Sequence, residues 1–125
     1  MLGRRVAGTL LCHAGSHRVA FAADEVAVIE SVGDRPGRFQ SARQAFGDDA
    51  GAERVLVAPS GEAVGVDTLE IEAESIYVMP LPELLEPVAG GSLVGFILAR
   101  GEFWPLVRLV EFERYLGNLA PRRAA

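Results

Sequence analysis

Cys12, His13 and His17 are the residues whose types and spacing come nearest to chemistry. Thiolate and imidazole are zinc ligands, and a cysteine beside a histidine can form an activated nucleophile. The spacing works against both. On an extended chain Cys12 and His13 point to opposite faces, so they neither ligate together nor bring a base within reach of the thiol. No second cysteine or third histidine completes a tetrahedral site. The expected arrangement is a buried Cys12 acting as a small hydrophobe, with two histidines near a hairpin tip. Ser60 lacks the glycine two places earlier that a nucleophile elbow needs, since Ala58 stands there. Glu70, Glu72 and Glu74 share one face of an extended chain and read as a solvated acidic ladder, because a glycosidase pair faces across a cleft. Neither a phosphate-binding loop nor a dinucleotide fingerprint occurs. The sequence therefore predicts no catalytic residue, no cofactor and no metal site.

Composition narrows the alternatives further. At 125 residues the chain suits one domain, or two small sub-barrels sharing a core. Half of it is hydrophobic, enough for a sizeable core. A net charge of −5 argues against nucleic acid, whose binding rewards basic faces. All twelve basic residues are arginine. One cysteine permits no intramolecular disulfide, so a reducing cytoplasm is the expected compartment. The longest apolar run, around Leu93–Ala99, falls short of the roughly 18 residues of a membrane span. Val6–Cys12, with Gly8 and Thr9 inside it, makes a poor secretory signal, so no membrane insertion is expected.

The elements follow from periodicity and turn chemistry. Thr9–Ala14 and His17–Ala22 flank Gly15-Ser16 and predict a hairpin. A third strand follows, with Val28 and Glu30 on one face and Ala27 and Ile29 on the other; its start at Asp24-Glu25 is compatible with a helical turn. Gly33–Arg38 reads as a loop. Phe39, Ala42, Arg43 and Phe46 have helical spacing, which predicts a short helix over Ser41–Phe46 stopped by Gly47. Asp48–Ala52 is a connection. Val55–Ala58 and Ala63–Val66 are strands around Pro59-Ser60-Gly61. Leu69 and Ile71 alternate with glutamates in a half-exposed strand, and Ile76–Met79 forms another. Pro80–Pro87 is excluded from a central strand. Ser92–Ala99 and Phe103–Leu109 are strands joined through Arg100-Gly101-Glu102. Leu106 and Trp104 face inward, and Pro105 requires an edge or a bulge. Glu111–Leu116 closes as a helix ended by Gly117, followed by a frayed tail from Pro121. Many short strands with two short helices predict a mostly β fold, a barrel or sandwich.

The order of these segments resembles the CheW-like family of chemotaxis coupling proteins. Gly95-Phe96, Gly101 and Leu106–Leu109 match, in order, the Gly-apolar strand, hairpin and apolar strand that lead into the family's terminal helix. Arg54–Asp67 resembles its strand, turn and apolar-Gly-apolar-Asp passage, and Pro80-Leu81-Pro82 falls where a proline pair is usual. Leu10–Ala14, Arg18–Ala22 and Asp24–Glu30 resemble its opening strands. The resemblance implies one CheW-like domain over 1–125, with a first β-barrel-like subdomain at about 9–47, a second at about 53–110 and a closing helix at 111–117. It implies a non-catalytic adaptor of a chemosensory array, serving for example motility, that binds a methyl-accepting chemoreceptor tip, a CheA-type histidine kinase regulatory domain, or both. Val28 and Glu30 match receptor-contacting positions and are the partner-binding residues it implies. A homo-oligomer is a further partner compatible with it. Only Ser31–Gln40 stands where the family carries an extra hairpin and an Asn-Leu-Arg-Gly turn, so the first subdomain is expected to be incomplete; Arg35 and Arg38 lie nearby in a different context. The rival readings are a small β-barrel holding an apolar ligand in its interior, and a regulatory domain derived from a larger kinase.

Overall fold

Short apolar runs punctuated by glycine and proline fold into nine strands and one α-helix in a computed structural model that describes residues 4–34 and 39–124. Arg35 and Arg38 lie outside the described residues. The strands are β1 (Arg4–Ala14), β2 (His17–Ala22), β3 (Val28–Ser31), β4 (Gln40–Ser41), β5 (Arg54–Val57), β6 (Ala63–Val66), β7 (Thr68–Pro80), β8 (Leu93–Ala99) and β9 (Glu102–Val107), followed by α1 (Leu109–Ala124). The fold is mostly β. β1, β2, β9, β8 and β7 close a barrel in that order, and β3-β5-β6-β4 form an open sheet.

Strands from 9–47 and from 53–110 are shared between the two sheets. β1 pairs antiparallel with β7, from Arg4↔Val78 to His13↔Thr68, while β3 pairs with β5. Each sheet thus draws on both halves of the chain. Long-range pairing of half-buried surfaces outweighs proximity in sequence. One sheet closes as a five-stranded barrel and the other is an open sheet of four strands. β7 is also a single strand of 13 residues rather than two short ones. Its pairing with β1 runs through a register shift between Ala7 and Thr9, where Gly8 takes φ +95° and lets the bulge form.

Three apolar clusters explain the sequence pattern. Leu11, Ala20, Val78, Ile97, Trp104 and Leu106 fill the barrel, as expected of so small a barrel. Leu106 and Trp104 are both buried on one face of β9, and the Trp104 indole N–H donates to the Ala99 carbonyl at 2.9 Å. Pro105 pairs with Phe96 of β8, next to the single register pair, Ala20↔Leu106, by which β9 meets β2. The alternate residues of β1 and β2, Leu10, Cys12, Val19 and Phe21, pack outward against Leu56, Val64 and α1. Val55, Val57 and Ala63 form a third cluster on the other side of the open sheet. β5 and β6 are therefore covered on both faces, which accounts for their unbroken apolar runs.

The helices depart from the sequence reading in two ways. The helix expected over Ser41–Phe46 is a 3-10 turn, Ala42–Phe46, capped reciprocally by Ser41 and Gln44 and ended by Gly47 at φ +78°. The closing helix, expected over Glu111–Leu116, starts earlier and runs to Ala124, through both Gly117 and Pro121. An interior glycine costs only about 1 kcal/mol relative to alanine. Leu109, Phe112, Leu116 and Leu119 hold the helix on the core at i, i+3 and i+4 spacing. The Glu25 carboxylate accepts the Leu109 N–H at 2.8 Å at the start of α1. Burial raises the Glu25 pKa, an effect larger than the opposing pull of that hydrogen bond. Among the described residues, no helix is long and apolar enough to cross a membrane.

Candidate functional site

β3 is where the fold leaves a strand half covered. The chain enters it from a 3-10 turn at Ala23–Glu25, and Val28↔Val57 and Glu30↔Val55 set its register on β5. Among the described strands it pairs with β5 alone, so its second edge carries no strand partner among the described residues. Val28 is 45% exposed and Ile29, on the opposite face, is 37% exposed. Glu30 is half-buried. Ile71 of β7 is 61% exposed. Ile71, which alternates with Glu70 and Glu72, faces a cleft where the barrel and the open sheet diverge, although its register partner Leu10 is buried.

Two clefts meet at Ile29. One, about 420 Å³, is apolar and is bordered by Val26, Val28, Ile29 and Ile71. The other, also about 420 Å³, is polar and is bordered by Ile29, Glu53, Arg54, Asp67 and Thr68. Val28 borders the apolar cleft; Glu30 lines neither. Val28 and Glu30 share one face of β3, and Ile29 and Ile71, which the sequence did not single out, border the apolar cleft with Val28. The available signal was the brevity of the β3 run between polar segments, which suits an edge strand.

The polar cleft has a fixed anion. Asp67 accepts from Arg43 Nε at 3.0 Å, from Arg43 Nη2 at 2.5 Å and from the Gly15 N–H at 2.5 Å. The Arg43 guanidinium, aided by the Gly15 N–H, holds the Asp67 carboxyl below its ordinary value. This forked pair ties the 3-10 turn at 42–46 to the β6–β7 junction and to the tip of the first hairpin. A segment lying along both clefts would meet apolar side chains at one end and the Asp67 carboxylate at the other.

The residues with chemical potential lie elsewhere. Cys12 is wholly buried, and burial pushes its thiol up to about 12. His13 points away from it, edge-on to Trp104 at 5.3 Å and 3.3 Å from the Thr68 hydroxyl. His17 stacks on Phe46 at 4.2 Å. Among the described residues, no three histidine, cysteine or acidic side chains are grouped to hold a metal ion. The acidic ladder is bridged by Arg100, 3.0 Å from Glu70 and 3.4 Å from Glu72. Compared with known proteins, the chain matches no protein-family model and no curated protein.

Proposed function

We propose that this chain is a non-catalytic, cytoplasmic adaptor of a chemosensory system, CheW-like in kind, that docks a segment of a signalling partner along β3. The observation that carries the reading is the edge of β3 that has no strand partner among the described residues, beside the exposed Val28, Ile29 and Ile71. Scattered apolar residues on a surface are ordinary; neighbouring ones beside an open strand edge are a partner site. The sequence resemblance supplies the partner class: the cytoplasmic tip of a methyl-accepting receptor, a CheA-type kinase regulatory domain, or both. Val28 contributes an apolar contact and Glu30 a carboxylate that orients the segment. The rival in which the barrel interior holds a ligand has little room, because Leu11, Trp104 and Leu106 fill it.

Calorimetric titration of a receptor-tip fragment and of a kinase regulatory domain tests the proposal. Val28→Asp and Glu30→Ala leave the circular dichroism unchanged, because neither residue belongs to the buried core. Each weakens binding at least tenfold, about 1.4 kcal/mol or more. Native affinity in both folded variants removes β3 as the site. Failure of both partners to bind the wild-type chain removes the adaptor reading.

A further inference from the structure

We infer that the cavity between the outer side of the barrel and α1 is a binding site for a small neutral aromatic molecule of about one ring, such as toluene or indole. This site is remote from β3 and does not rest on the adaptor reading. It is open to solvent on the side of Val88, and its volume of about 170 Å³ is enough for a single ring, a ring-sized apolar cavity of roughly 150 Å³ being able to take up benzene. Val19, Val107 and Phe112 line it and are all buried. Phe46, Ala89 and Tyr115 also line it. Two of its aromatic rings are held in place: Phe46 lies parallel to His17, with 2° between the ring planes, and Phe112 lies 6.3 Å from Tyr115.

The lining decides the class of ligand. Among the described residues no charged side chain borders the cavity, and Tyr115 is the one lining residue whose side chain carries a polar group. A carboxylate or ammonium entering would lose its hydration without gaining a counter-charge, so a neutral ring is favoured. The wall at 88–91 points to a built site. Ala89 adopts φ 54°, ψ 41°, a left-handed conformation unusual for alanine. Gly90 and Gly91 follow it with positive φ. The Ser92 hydroxyl fixes the turn by donating to the Ala89 carbonyl at 2.7 Å. A Cβ at Gly90 would come within 3.2 Å of the Tyr115 ring, so the wall needs glycine there to close on the helix. Strain of this kind, held by its surroundings, collects at ligand clamps.

Toluene and indole are titrated into the full chain, followed by methyl NMR and thermal unfolding, with benzoate as the charged counterpart. Saturable shifts are expected at the Val19, Val107 and Ala89 methyls. Free ligand at ten times its Kd should raise the folded-to-unfolded ratio about elevenfold. Ala45→Leu, which fills the cavity, and Val88→Asp, which places a charge on its lining, should each weaken binding at least tenfold. Val88 is 43% exposed, so its variant keeps the fold and decides the matter if Ala45→Leu does not fold. The inference is overturned if toluene and indole leave those methyls unmoved up to their solubility. It is equally overturned if benzoate binds as well as toluene, or if folded Val88→Asp keeps the wild-type affinity.

Discussion

Leu106→Ala tests the barrel at its thinnest seam. Leu106 is 2% exposed, and its pairing with Ala20 is the one register pair joining β9 to β2. The substitution removes three carbons from the barrel interior, about 2.4 kcal/mol at roughly 0.8 per methylene. A cavity adds to this in proportion to how little the neighbours collapse. Collapse is restricted here. Trp104 is held by its hydrogen bond to Ala99, and Ile97 and Val78 are pinned by their own pairing across β7 and β8. The total therefore falls at about 3–4 kcal/mol, inside the range of roughly 2–5 for such truncations. For a chain of this size that is a fall in Tm of about 10–15 °C. Leu98→Ala, on the same sheet but 56% exposed, is the control and should stay within about 0.5 kcal/mol. Urea unfolding at matched m-values gives both numbers. A Leu106→Ala midpoint within a few degrees of wild type, or equal losses in the two variants, would refute the packing argument.

Two further predictions follow from titrating groups. Arg43 holds the Asp67 carboxyl below its ordinary value near 3.8, so the stabilisation from its charge is complete above that pH and lost as pH falls through the lower folded value. Asp67→Asn should flatten the acid limb of a stability profile recorded from about pH 5 to pH 2, and parallel profiles would sink the assignment. Cys12, fully buried and with its thiol pushed up to about 12, should react with a thiol reagent at pH 8 only at the rate of unfolding. Rapid labelling of the native chain would contradict its placement.

What could be read from sequence was local. The hairpins at Gly15-Ser16, Pro59–Gly61 and Arg100-Gly101 stand where turn chemistry places them, because two or three residues decide a turn. The inward pair Trp104 and Leu106 follows from a period of two. The pairings β1–β7 and β3–β5 did not follow, since register between distant strands depends on which faces the whole fold buries. Nor did the continuation of α1 past Gly117, where packing of Leu119 outweighs a weak propensity signal. At the candidate site, periodicity places Val28 and Glu30 on one face. It carries no information on whether that strand is central or at an edge, and so could not pick out Ile29 and Ile71.

The position of β3 distinguishes its apolar residues from the other exposed ones. Leu98 and Phe103 face each other across β8 and β9 on the barrel surface, each 56% exposed. Both of those strands have neighbours on either side, β8 between β7 and β9 and β9 between β8 and β2. They offer a partner side chains and nothing more. β3 offers side chains on both faces together with an edge that no described strand pairs. Such an edge is ordinarily shielded by shortness and charge. β3 is short, at four residues, and carries Glu30, which limits uncontrolled strand addition. Val28, Ile29 and Ile71 lie beside it all the same, at the junction of an apolar and a polar cleft. An edge guarded against arbitrary pairing yet lined with apolar contacts favours a partner that matches both clefts, the selectivity that the proposed adaptor role would require.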